Sequence, residues 1–250
     1  MSQENLRAVY DQRALEYQYH GPQGAPSRKQ RGILQHLHGL VGVRLLEVGC
    51  GDGPYLALAS QQDAASIVGV DISTLILREA RQRVVHEGRA GIVRLAAADA
   101  VSLPFADALF DRLLATQVIE HVPRHEAALG EMRRVLRPGG ELVISTDHSH
   151  NRVTQSLRWP TRVVRRMLGR SENHPAFLHR SYTRAEFLAV LRSAGFEVLE
   201  LSTYRFSWPT SLGKVRPLVR LLDAVEESLI RHRPWSDWGD ILLVVARRAM

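Results

Sequence analysis

Three glycines at alternate positions, Gly49, Gly51 and Gly53, follow an apolar run that ends in an acid, LLEVGCGDG over residues 45–53. Glycine admits positive φ and lets a ligand come close to the backbone, so this spacing suits a tight strand-to-helix turn around a bound molecule. The dinucleotide fingerprint needs glycine at its sixth place, and counted from Gly49 that place is Pro54. Glu47 at the rim of the turn favours a ligand with an ammonium or other positive centre over a pyrophosphate. The glycines alone would also serve a tight turn that binds nothing. Two further carboxylates stand where strands should end: Asp71 after Val68-Gly69-Val70, and Asp99 after an aliphatic run. In open parallel sheets ligands bind outside the carboxyl ends of the strands, and an acid after the second strand accepts hydrogen bonds from ribose hydroxyls. One such acid is commonly a helix cap. Three in succession predict a shared cleft.

Groups able to move a proton fall along the same edge. His121, in VIEHV, comes just past the fourth strand, His148 and His150 follow the fifth, and His179 precedes Tyr182. Imidazole titrates near neutrality and is the usual base for deprotonating a hydroxyl, so His121, His148 and His179 are candidate general bases. A histidine at such a position is more often a plain polar or capping one. Glu120, His121 and His125 have a spacing that invites a metal, but Pro123 would disturb the single helix face an i,i+4 pair requires. No metal is expected. Arg152, Arg158, Arg162, Arg165, Arg166 and Arg170 occupy a stretch, 152–170, that contains no acid and is interleaved with apolar residues. It reads as a lid with solvated arginines, or as a contact for an anionic membrane or a phosphorylated substrate. Aromatic residues are too sparse there for a stacking platform, which makes nucleic acid the weaker partner.

These groups need a frame to bring them together. Apolar runs at 43–48, 66–70, 91–97, 110–115, 141–145, 196–201 and 241–246 have strand length, and helix-spaced segments at 75–85 and 126–136 lie between the early ones. The alternation predicts βαβ units: one α/β domain, about seven strands, with helices on both faces. Arg133, Arg134 and Arg137 read as a cationic last helical turn stopped by Pro138-Gly139-Gly140. Thr183 and Glu186 read as a capping box for a helix over 184–194. Two excursions interrupt the alternation: a lid over 147–182, and a helical insertion over 204–239, where Leu218, Leu221, Leu222, Val225 and Leu229 share a face. Residues 1–40 form an N-terminal cover.

Length and composition close off several classes. The 250 residues suffice for one large domain with its own core. Cys50 is the single cysteine, which excludes an intramolecular disulfide and paired-cysteine zinc sites. The first twenty residues carry acids and no apolar run, unlike a secretory signal, and no stretch approaches a membrane span; a cytoplasmic location is expected. The net charge of +7 marks a basic surface without naming its partner.

With these residues in order, the chain resembles the class I S-adenosylmethionine-dependent methyltransferases, in particular the small-molecule group called type 11. The resemblance rests on LLEVGCGDG, VGVDIS, AAADAVSLPF, FDRLLATQVIEHV and EMRRVLRPGGELVIS, then more loosely on SYTRAEFLAVLRSAGFEV and WGDILLVVARR. It implies a Rossmann-like sheet in the order 3-2-1-4-5-7-6 with the seventh strand antiparallel. It implies S-adenosylmethionine as cofactor, with Glu47, Gly49, Cys50 and Gly51 at its methionine part and Asp71 on the ribose. Ile72 would pack on the adenine, Asp99 and Ala100 would meet its edge, and Thr116 would close the pocket near the sulfonium. Tyr10, Asp11, Ala14, Tyr17 and Tyr19 resemble the leading helix that folds over this cofactor, and Arg28 or Arg31 could pair with the methionine carboxylate. The implied reaction is methylation of a hydroxyl or amine on a small-molecule acceptor, in specialised or envelope metabolism. The alternatives are a lipid- or glycan-linked acceptor, RNA, or a silent cofactor-binding partner subunit. The long connection between the last two strands departs from the family's brief one.

Overall fold

The computed structural model describes residues 7–12, 33–149, 180–204 and 240–250. Its elements in chain order are β1 (Arg44–Val48), α1 (Pro54–Ser60), β2 (Ser66–Asp71), α2 (Thr74–Glu87), β3 (Val93–Ala97), β4 (Phe110–Thr116), α3 (His125–Val135), β5 (Leu136–Asp147), α4 (Arg184–Ser193), β6 (Phe196–Tyr204) and β7 (Ile241–Arg248). Residues 7–12 and 33–35 are also helical. The seven strands form one sheet in the order β3-β2-β1-β4-β5-β7-β6. All neighbours run parallel except β7, which is antiparallel to β5 and β6. The order reverses between β1 and β4, and that is where such sheets open a cleft.

Strand side chains alternate between faces, and here both faces are buried, which explains the continuous aliphatic runs. Leu46 and Val48 of β1 face one way with Leu113, Leu142, Ile144 and Val244, under Leu129 and Met132 of α3 and Phe187 and Leu191 of α4. Leu45, Leu114, Val143 and Leu243 face the other way, against Tyr55 and Leu56 of α1, Leu77 and Val84 of α2, and Ile33 and Leu37. Each fully buried Leu or Phe contributes about 1.5–3 kcal/mol relative to an exposed one.

Helix starts are chemically marked. Pro54 opens α1 where its missing N–H costs nothing. Ser73 Oγ accepts from Ile76 N–H to cap α2. Both halves of the Thr183–Glu186 capping box form, and Gly195 follows α4 at φ +82°. The expected last turn of α3 requires correction. The helix ends at Val135, and β5 already begins at Leu136, which pairs with Phe110. Arg137 therefore lies in β5, where it pairs with Asp111, and Pro138-Gly139-Gly140 fall inside the start of that strand.

The lid expected over 147–182 is described at its two ends, and these are tied together. Tyr182 N–H donates to Asp147 O at 3.0 Å, and Ser149 N–H to Tyr182 O at 2.9 Å. The 152–170 arginines, His150, His179, the 204–239 insertion after its first residue, and Ala14, Tyr17, Tyr19, Arg28 and Arg31 lie outside the described residues.

Candidate active site

The chain leaves β1 into Gly49 (φ +67°) and Gly51 (φ +52°). Gly49 is required on space as well as on angle: a Cβ there would stand 2.3 Å from Val118 Cγ2. Gly51 has nothing within 4 Å of where its Cβ would be, so its missing side chain is open room in the cleft. Its N–H donates to Asp71 Oδ2 at 3.0 Å, while Ser73 N–H donates to Asp71 Oδ1 at 3.0 Å. Both carboxylate oxygens are thus aimed by backbone donors, with lone pairs to spare. Burial raises the Asp71 pKa above the ordinary carboxylate range despite these hydrogen bonds, and Asp11 adds to the rise. Asp11 itself accepts from Ser73 Oγ at 2.5 Å, tying residues 7–12 to the start of α2.

A cavity of about 370 Å³ opens over this turn, at the carboxyl ends of β1, β2 and β4. It gathers Gly49, Gly51, Asp71, Ile72, Asp99, Ala100 and His121, seven of the residues singled out from the sequence. Tyr10 also lines it and meets His121 edge-on, with ring centroids 6.2 Å apart. The walls between are aliphatic: Ile72, Ile76, Val118 and Val122.

Four expected residues are placed differently. Cys50 does not line the cavity; its side chain is 3% exposed and turns down into the core beside Gly69, where burial raises the thiol pKa. Its backbone serves the turn through an N–H to Val70 O bond of 3.0 Å, and its Sγ donates to Gly51 O at 3.9 Å. Thr116 does not close the pocket either. It is the last rung between β4 and β5, opposite Ser145, with its side chain on the face of Leu114, and Gln117 (φ +56°) and Val118 take its place on the wall. Glu47 shares the face of Leu45 and lies behind the turn, 1% exposed, with Oε2 unpartnered. Burial, then Asp52 and Asp71, push its pKa well up. His148 is 8% exposed and does not line the cavity; its backbone bonds to Asp240 O at 2.8 Å and bridges Tyr182.

Several wall residues went unread in the sequence: Ser73, Ile76, Gln117, Val118 and Val122. Ser73 was legible as a helix cap two places after an acid. Gln117 and Val118 carry no such mark, because a positive φ at glutamine is set by tertiary packing. Beyond His121 lies a second polar group. Thr146 Oγ1 donates to buried Glu120 Oε2 at 3.2 Å, Arg180 N–H donates to Glu120 O at 2.9 Å, and the Arg180 guanidinium contacts the His125 ring. Burial, then Arg180, lowers the His125 pKa. His121 ends a short 3-10 turn and His125 opens α3, so they share no helix face. Among the described residues, no group of three or more His, Cys, Asp or Glu is arranged for a metal ion, and no helix is long and apolar enough to cross a membrane.

The reversed seventh strand, the strand order and the acid-ended cleft define a Rossmann-like fold with the architecture of the class I methyltransferases. Comparison with known proteins carries this further. The family described as "Methyltransferase domain" matches residues 46–144. Methyltransferase GfsG of Streptomyces halstedii is 38% identical over 121 residues, covering 48% of this chain and 44% of that protein. O-methyltransferase resE of Aspergillus sclerotiorum is 30% identical over 210 residues, covering 82% of this chain and 71% of that protein. An S-adenosylmethionine-dependent methyltransferase structure from Mesorhizobium loti superposes with a TM-score of 0.63 at 18% identity, covering 89% of this chain and 98% of that one. The chain spans about half the length of several curated relatives it matches. It belongs to the S-adenosylmethionine-dependent methyltransferases, whose cofactor is S-adenosylmethionine. The cavity fits that cofactor, with a glycine cradle at one end, an anchored carboxylate beside it and aliphatic walls for a flat ring.

Proposed function

We propose that this protein methylates a hydroxyl or amine of a small-molecule acceptor, with His121 taking the acceptor's proton. The reading is carried by one cavity that holds Asp71, fixed by two backbone donors, together with His121. Relatives named as O-methyltransferases support a hydroxyl acceptor. When bound, S-adenosylmethionine supplies a methyl group on a sulfonium, and its leaving thioether is neutral.

The residues would divide the work of binding. Asp71 would hold the ribose hydroxyls on its remaining lone pairs. Ile72 and Ala100 would flank the adenine, and Asp99, which already accepts from Val101 N–H at 3.0 Å, would take the adenine amino group on its other oxygen. Gly49 and Gly51 would admit the methionine part against the backbone. Glu47, buried behind the turn with Oε2 unpartnered and its pKa pushed up, is the carboxyl that an incoming ammonium would ionise and pair with. Tyr10 and the aliphatic walls keep water out.

With no charge left on the departing group, alignment and desolvation are the main tasks of the protein. A hydroxyl or ammonium acceptor must still lose a proton, and His121 is the described candidate base that lines the cavity. Methyl transfer from labelled cofactor across a panel of phenols, alcohols and amines tests this. Asp71→Ala should weaken cofactor binding about 100-fold, roughly 2.8 kcal/mol. His121→Ala should bind cofactor normally and lose about 10²–10⁴-fold in turnover. A parent protein that binds cofactor and methylates none of the panel would overturn the proposal.

A further inference from the structure

Apart from the cofactor cavity, a groove of about 470 Å³ runs between α2 and the edge strand β3. Thr74, Arg78, Arg81 and Val85 repeat along one face of the helix to form one wall, and Val93, Arg94 and Leu95 form the other. Leu77 and Val84 supply an apolar floor, and Val85 stands 58% exposed at the rim. Among the described residues, Arg78, Arg81 and Arg94 have neither a hydrogen bond nor an ion pair, whereas Arg83 and Arg89 nearby each reach a carboxylate. Arg78 and Arg81 sit three apart on one helix, a spacing at which like charges repel. Three guanidinium groups without a carboxylate partner among the described residues surround an apolar floor.

The chemistry of an anion that would fit there is constrained. A guanidinium offers a planar fork of donors that matches phosphate oxygens two at a time. The apolar floor suits an alkyl chain attached to the phosphate. Among the described residues no aromatic ring lines the groove, so none of them offers a nucleobase a stacking surface. Cations that share a helix face with an exposed aliphatic side chain, here Val85, are a pattern that suits an anionic bilayer. We propose that the α2–β3 groove binds the phosphate of an anionic phospholipid, so that this edge of the sheet rests on a membrane surface. The site shares no lining residue with the cofactor cavity and stands independently of the acceptor reading.

Co-sedimentation of the full chain with phosphatidylcholine vesicles, with and without phosphatidylglycerol, tests it. The parent should partition strongly onto the anionic vesicles alone. An Arg78→Ala/Arg81→Ala/Arg94→Ala variant should lose about tenfold or more in partitioning, since each cation near an anionic surface strengthens binding several-fold. Unchanged S-adenosylmethionine binding by calorimetry would show that the variant is folded. A variant that sediments like the parent overturns the proposal, as does a parent indifferent to phosphatidylglycerol. Glycerol phosphate separates the soluble source: tight binding of it by a parent that ignores vesicles would replace the lipid with a free phosphate ester.

Discussion

The carboxyl edge of the sheet is built in two ways on either side of the switch between β1 and β4. On the side of β1 and β2 the positions are set by backbone. Asp71 is aimed by the N–H groups of Gly51 and Ser73, and Gly49 exists to let Val118 pass. On the side of β4, β5 and α4 backbone ties such as Arg180 N–H to Glu120 O are joined by side-chain pairs: Thr146 on Glu120, Arg180 on His125, and Tyr182 against Phe187. A backbone cradle tolerates few residues and leaves a short, ordered signature. A side-chain network can be met by many combinations and leaves none. On the proposed function, the half that holds the cofactor should therefore be brittle, and the half assigned to the acceptor adjustable.

The sharpest way to break that contrast is Gly49→Ala. Alanine pays about 1–2 kcal/mol for left-handed backbone, and its Cβ would stand 2.3 Å from a Val118 methyl. Valine has no flexible end to withdraw, so overpacking adds about 1–3 kcal/mol. Chemical denaturation should show a loss of about 2–5 kcal/mol, and cofactor affinity by calorimetry should fall about 100-fold or more as Val118 is driven into the cavity. Near-parent values for both would mean that the turn is not the rigid half.

Glu47→Gln sharpens the contrast by separating stability from binding. Burial raises the Glu47 pKa in the folded chain above its unfolded value, so the folded state holds that proton more tightly. Its contribution is then most favourable below the unfolded pKa and is lost as pH rises through the folded one. Gln removes the titration. Its melting temperature should exceed the parent's at about pH 8 and converge on it near about pH 5. Cofactor affinity should nevertheless fall about tenfold, about 1.4 kcal/mol, because glutamine cannot ionise to pair with the incoming ammonium. A variant that is more stable and binds equally well would show that the carboxylate does nothing for the ligand.

The same division decides what could be read before any coordinates. The strand alternation, the glycine turn, the acids Asp71 and Asp99 at strand ends and the Thr183 cap were legible because each rests on local chemistry, whereas the strand order came only with the family resemblance. Cys50 and Thr116 were misplaced for a physical reason. Adjacency in the motif says nothing about which way a side chain points, and Cys50 turns into the core while Thr116 points to the face of Leu114. Arg137 was carried too far along α3 because Pro-Gly-Gly signals a stop without saying whether the chain is already a strand. The Glu120–Thr146 bond spans 26 residues and the Arg180–His125 contact 55. No local pattern encodes such pairs.

Thr183→Ala probes the acceptor half with the smallest change. Thr183 Oγ1 accepts from Glu186 N–H at 3.1 Å, and the Glu186 carboxylate accepts from Thr183 N–H at 2.8 Å. Losing that cap costs about 1 kcal/mol, which for a chain of this size lowers the melting temperature by about 2–4 °C. The helix it opens buries Phe187 and Leu191, and neither lines the cofactor cavity, so cofactor affinity should stay within about twofold, under 0.5 kcal/mol. The strain falls instead on the neighbouring Tyr182 and, through it, on the tie to Asp147 that closes the excursion after β5. The KM for an acceptor should rise while the cofactor dissociation constant does not. If both move together, the two halves are mechanically one, and the backbone cradle depends on packing that reaches across the whole sheet.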